Sequence, residues 1–157
     1  TIWGGIAGCF PPLIGWTAVT GGVRWEPVVL FLIVFWWTPP HTWALSFRYR
    51  EDYKIAGVPM LPVVKEAPEV AVQILVYTVM TVATSLVLWP VAHMGWVYLV
   101  VAVVSGAVFI VEAVQLLRRA RVGLRGALLK PMRLFHWSNT YLSLLFLAIA
   151  VDPLIHP

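Results

Sequence analysis

In the stretch TPPHTWALSFRYREDYKIAGVPMLP, residues 38–62, a histidine, a tyrosine, basic residues and carboxylates interrupt a chain otherwise made of apolar runs. Arg48, Arg50 and Lys54 surround Asp52 within a few positions, mixing both signs of charge. That mixture suits a phosphate held by cations while a carboxylate takes Mg²⁺, because Mg²⁺ is commonly shared between one or two carboxylates and substrate phosphates. Gly57, with Pro59 and Pro62, would let the segment fold back over the entrance of a bundle. The plain alternative is a solvated loop stiffened by proline, and the residues alone leave both readings open. Ionisable groups beside membrane spans are costly and usually functional, which makes this segment the place to seek chemistry.

The elements that must position it are set by composition. Of 157 residues, 61% are hydrophobic and only 11% charged, with a mean hydropathy of +0.85. Soluble domains average about 25% charged residues, so a soluble fold would expose far too much apolar surface. A single cysteine, Cys9, excludes an internal disulfide framework and any CxxC metal site, and reads as a small packing residue within a span. The chain starts at Thr1, runs straight into apolar sequence without a signal-peptide layout, and reads as part of a longer membrane protein.

Windows of about 20 mostly apolar residues mark transmembrane helices, and they fall at approximately 2–19, 27–47, 70–89, 96–117 and 135–151. The expected fold is therefore an all-α, polytopic transmembrane bundle. Pro11-Pro12 and Gly15 should kink the first span and Pro39-Pro40 disturb the second near its end, while Gly4 and Gly8 offer a small-xxx-small contact face. The connection 48–68 holds Arg48, Arg50, Lys54 and Lys65; the connection 118–134 holds Arg118, Arg119, Arg121, Arg125, Lys130 and Arg133. Only Arg24, of eleven Lys and Arg, lies elsewhere. Two spans separate the basic loops, so both fall on one face, which the positive-inside rule makes cytoplasmic; Thr1 then faces the cytoplasm and Pro157 the outside. Trp16, Trp25, Trp89 and Trp96 should lie near the outer boundary and Trp3, Trp43 and Trp137 near the inner one. The basic residues read as topology determinants rather than a nucleic-acid surface.

The runs PPLIGW, TPPH and DYKIAGVPMLP, in this order and spacing, resemble the haem O synthase branch of the UbiA-type intramembrane prenyltransferases. GGIAGCFPPLIGWTAVTG and RLFHWSNTYLSLLFLAIAVD are similar to that family's fifth and ninth spans, so the likeness covers essentially the whole chain. It implies a nine-span protein of which these are the last five. The family's first aspartate-rich segment, between its second and third spans, is not among these residues, and the chain alone is expected to be inactive. Thr42 stands where the family carries an aromatic residue, and Ala56, four after Asp52, leaves no DxxxD clamp.

The resemblance implies transfer of a farnesyl group from farnesyl diphosphate to a vinyl group of haem B, with Mg²⁺ as cofactor. It assigns Asp52 to the metal and, with Tyr53 and Lys54, to catalysis; Arg48 and Arg50 to the diphosphate; and His41 to haem. Tyr53 equally suits an interfacial tyrosine. His41 is either an axial haem ligand or a histidine bonded to a neighbouring helix, and lies roughly 16 Å deeper than Asp52 if the backbone stays helical. The implied setting is the bacterial inner membrane, with haem A synthase or terminal-oxidase assembly downstream. Alternatives are a quinone-precursor prenyltransferase of the same superfamily or a non-catalytic haem carrier.

The remaining polar residues carry less. Gln73, Tyr77, Thr81 and Ser85 recur every four residues, as do His136, Asn139, Thr140 and Ser143 in part; cavity lining and helix–helix bonding explain both stripes equally. Glu112 should pair with Arg119 or Gln115 in a structural role. Asp152 should cap the last span in solvent, and His93 and His156 form no constellation.

Overall fold

The computed structural model describes residues 1–155; His156 and Pro157 lie outside the described residues. The chain forms α1 (Ile2–Gly5), a 3₁₀ turn (Ile6–Cys9), α2 (Phe10–Thr20), α3 (Trp25–Arg48), α4 (Arg50–Ile55), α5 (Leu61–Val64), α6 (Ala67–Val91) and α7 (Trp96–Arg121). A second 3₁₀ turn (Gly126–Leu129) and α8 (Pro131–Ile155) complete it. Five helical segments, the first spanning Ile2–Thr20, are long and apolar enough to cross a membrane. All five expected spans are present, and each extends past its apolar window. α7 continues through Arg118, Arg119 and Arg121, cations that complement the negative end of a helix dipole.

α3 packs on α6 and α8, α6 on α7, and α7 on α8, so these four helices close into a ring. The first span rests chiefly on α3: 6% of its apolar window is buried, against 39% for α3, α6 and α7. Its break lies one turn before the expected place. Pro11 and Pro12 open α2, and the 3₁₀ turn takes up residues 6–9, where the two missing amides would have bonded. With that turn intervening, a Cβ at Gly4 or Gly8 would meet nothing within 4 Å; the close approach is at Gly5, where a Cβ would lie 2.9 Å from Thr38 Cγ2. Cys9 is buried, as expected of a packing residue.

α3 runs on through Pro39 and Pro40, both buried. The prolines take the donors from the carbonyls of Phe35 and Trp36. One residue earlier, Thr38 Oγ1 bonds the Val34 carbonyl at 2.8 Å. Packing on two neighbours keeps the helix intact where sequence predicts a disturbance. Trp43 is also misplaced by its type: it is 3% exposed and meets Tyr77 edge-on at 5.5 Å, so it belongs to the core and not to an interfacial belt. Trp3, Trp25 and Trp96 are exposed, as belt residues should be.

At the far end of the ring, polar groups pin three helices. Tyr98 Oη donates to the Ser85 carbonyl at 2.6 Å, and Tyr141 Oη bonds Ser85 Oγ at 2.8 Å. The upper part of the Gln73–Ser85 stripe is thus helix–helix glue. Asp152 is 1% exposed and accepts the amides of Gly95 and Tyr98, which corrects its reading as a solvated cap. It caps α7 from α8, meeting orphan N–H groups that no local side chain satisfies.

Candidate active site

α3 ends where Tyr49 leaves helical geometry (φ −101°, ψ 27°), and α4 starts immediately after it. Glu51 and Asp52 stand in the first turn of α4 and Lys54 in its last, each on the favourable end of the dipole. Gly57 (φ 69°) then closes the helix in a Schellman arrangement. The Val58 amide bonds the Tyr53 carbonyl at 2.9 Å and the Gly57 amide that of Lys54 at 3.2 Å. The chain turns back, and α5 rests against α3, α4 and α6. What looks in sequence like an open loop is two short helices docked on the bundle.

A cavity of about 530 Å³ opens where this segment faces the start of α8. Arg48, Asp52, Lys130 and Arg133 line it with Phe47, Tyr49 and Met132, and Asp52 is the one carboxylate on its wall. A neighbouring cleft of about 310 Å³ shares Phe47 and Arg48 and is lined by Arg50, Glu51, Glu66 and Arg125. Arg125 and Glu66 lie 3.7 Å apart there. The expected site residues are therefore divided. Arg48 and Asp52 share the larger cavity, Arg50 belongs to the smaller, and Tyr53 and Lys54 line neither. Successive residues of a helix point about 100° apart, so one face of α4 cannot present all three of Asp52, Tyr53 and Lys54.

No group of three or more His, Cys, Asp or Glu able to hold a metal occurs among the described residues. One exposed carboxylate beside a cation fits a divalent ion shared with a substrate's phosphates, and does not fit an all-protein cage.

His41 sits deeper, between α3 and α8. Its ring lies against Trp37 at 4.2 Å and Phe135 at 4.5 Å, nearly parallel to both. These rings supply the aromatic packing that Thr42 leaves in question. Ser138 Oγ donates its proton to the Phe135 carbonyl at 2.7 Å, so at 2.9 Å from His41 Nδ1 it acts as acceptor. Nδ1 then carries the hydrogen and Nε2 keeps its lone pair. Trp37 Nε1 donates to the Ser138 carbonyl at 2.8 Å, a second bond across the same seam. Sequence does not single out Ser138, which stands among the polar residues of that segment. His136, Asn139, Thr140 and Ser143, by contrast, are all exposed on α8.

Glu112 pairs with Arg133, at 2.7 Å, in place of the expected Arg119 or Gln115; those two bond each other at 2.8 Å. Lys130 and Arg133 enter the cavity wall unforeseen, because a rule that explains every loop cation by topology singles out none. One signal was available: a cation in the first turn of a helix opposes the dipole, and α8 has no acid there.

Five helices long and apolar enough to cross a membrane, with a cavity of mixed charge at their basic end, define a multi-pass integral membrane protein. The chain belongs to the UbiA prenyltransferase family, which it matches over residues 1–140. It is 88% identical, over 99% of its length, to protoheme IX farnesyltransferase of Cutibacterium acnes, and covers 46% of that protein. Proteins of the same name from Nocardioides sp. and Streptomyces coelicolor are 60% and 53% identical over 98% of this chain, which covers 49% of each. The chain thus spans about half the length of the curated relatives it matches. No solved structure matches it.

Proposed function

We propose that the whole protein transfers the farnesyl group of farnesyl diphosphate to a vinyl group of haem B, forming haem O and releasing diphosphate. The observation that carries the reading is the cavity at the basic end, where Asp52 shares a wall with Arg48. It occurs in a chain 88% identical to a relative named protoheme IX farnesyltransferase. Arg48 would hold the diphosphate and Asp52 a Mg²⁺ ion, while Arg50 lines the adjoining cleft and Tyr53 and Lys54 line neither. When bound, Mg²⁺ supplies charge neutralisation on the leaving group.

The C1–O bond of the farnesyl donor breaks with its electron pair leaving on diphosphate. Cations fixed at the cavity wall stabilise that developing charge without reorganising. The vinyl π pair then forms the new C–C bond to the allylic cation, and water captures the resulting carbocation and loses a proton, giving the hydroxyethylfarnesyl side chain. His41, with the lone pair of Nε2 free, would ligate haem iron. The cavity faces the cytoplasm, since ten of the eleven Lys and Arg lie on the two connections at that end. The setting is the bacterial cell membrane, and haem A synthase or terminal-oxidase assembly takes the product onward.

The test gives the full-length protein haem B, farnesyl diphosphate and Mg²⁺ and analyses the pigment by mass. A haem bearing one hydroxyethylfarnesyl group is expected. Prenylation of a quinone precursor, with haem unchanged, rejects the acceptor.

A further inference from the structure

We propose that Arg133 and Lys130 bind a paired oxyanion of the substrate in the cavity at the basic end, and that Glu112 positions Arg133 for that contact. The inference rests on the prenyl-transfer reading above and adds residues from the opposite wall. Arg133 stands in the first turn of α8, where the positive end of the dipole disfavours a cation. It is held there by Glu112 of α7, whose Oε1 accepts from the guanidinium at 2.7 Å. The two ends of this pair differ. Glu112 is 8% exposed, and its other oxygen has no hydrogen-bond partner among the described residues. The Arg133 side chain is 54% exposed.

A guanidinium carries five N–H donors, and the bond to Glu112 uses one NH2 group, leaving donors for the cavity that Arg133 lines. Lys130 lines the same cavity from a left-handed backbone (φ 53°). A non-glycine residue is strained there, and glycine would make the turn without that strain. The strained position instead sets an ammonium at the cavity wall. Arg48, Lys130 and Arg133 face one carboxylate, Asp52, so the wall has an excess of positive charge. Guanidinium and ammonium groups fit a paired oxyanion, which the prenyl donor offers as diphosphate and the porphyrin as two propionates.

The experiment uses the full-length protein in detergent. It measures KM and kcat for both substrates, inhibition by inorganic diphosphate, and preference for haem over its dimethyl ester. Arg133→Ala is expected to raise the KM of one substrate about tenfold and leave the other within about twofold. Arg133→Lys should recover part of the loss, and Glu112→Gln should show a smaller loss of the same selectivity. Weaker diphosphate inhibition assigns the site to the prenyl donor; loss of the diacid-over-diester preference assigns it to the propionates. Lys130→Ala removes an exposed side chain that makes no hydrogen bond among the described residues, so it tests the site in a protein that still folds. Wild-type inhibition and wild-type preference in Lys130→Ala, and in every Arg133 variant that folds, overturn the proposal. Absence of any prenylated haem from the wild type would instead reject the reaction itself.

Discussion

Asp152 accepts the backbone amide of Tyr98 at 3.0 Å, so the last helix caps the one before it. The Gly95 amide meets the same carboxylate. Asp152→Ala strips α7 of this cap in a buried place and should cost about 1–3 kcal/mol, the desolvation penalty of donors left unpaired. Asp152→Asn, which keeps one acceptor, should lose less. Thermal unfolding of the detergent-solubilised full-length protein ranks the two; equal melting temperatures for wild type and Asp152→Ala would remove the cap from the account.

Gly106 sets how closely α6 and α7 approach. A Cβ there would lie 2.8 Å from Val82 Cγ1, on a branched side chain that cannot swing away freely. Gly106→Ala should destabilise the bundle by about 1–3 kcal/mol through overpacking. Val82→Ala, itself harmful, should restore part of that loss when combined with it, and a double-mutant cycle measures the coupling. Strict additivity would mean the two side chains do not meet.

How far such contacts can be read ahead is clear from particular residues. Each span announces itself because a bilayer demands a long apolar run, whatever the run packs against. The face a residue presents is not so announced. Gly4 and Gly8 have the spacing of a contact motif, yet the 3₁₀ turn after Gly5 shifts the register and Gly5 makes the contact. Trp43 has an interfacial composition and a core address. Asp152 lies near a chain end, where solvation is the default, and its partners are over fifty residues away. Arg48 and Asp52 were legible as neighbours on one cavity wall because opposite charges four residues apart share a local surface. Arg133 was not, because its partner Glu112 is distant in sequence.

At the seam of α3 and α8, Ser138→Ala removes the acceptor that fixes the His41 tautomer. Partners of this kind typically change ligand affinity about 10–100-fold when lost. With haem bound to the full-length protein, His41→Ala should abolish any ligand-dependent shift in the absorption spectrum, and Ser138→Ala should weaken binding while keeping the shift. Unchanged spectra in both would return His41 to a purely structural role.

Removing divalent metal with a chelator should abolish prenyl transfer, and added Mg²⁺ should restore it. Asp52→Asn should lower the rate by about 10²-fold or more and raise the Mg²⁺ concentration needed for half-maximal activity, as expected where a metal stabilises a leaving diphosphate. Full activity with unchanged metal dependence would release Asp52 from the site.

Trp37 and His41 both bond to Ser138, through its carbonyl and its hydroxyl respectively. Successive turns of α3 are therefore latched to one residue of α8, and sliding either helix past the other must open both latches together, at about 1 kcal/mol apiece. Around His41 the register of α3 against α8 is therefore fixed by a single serine.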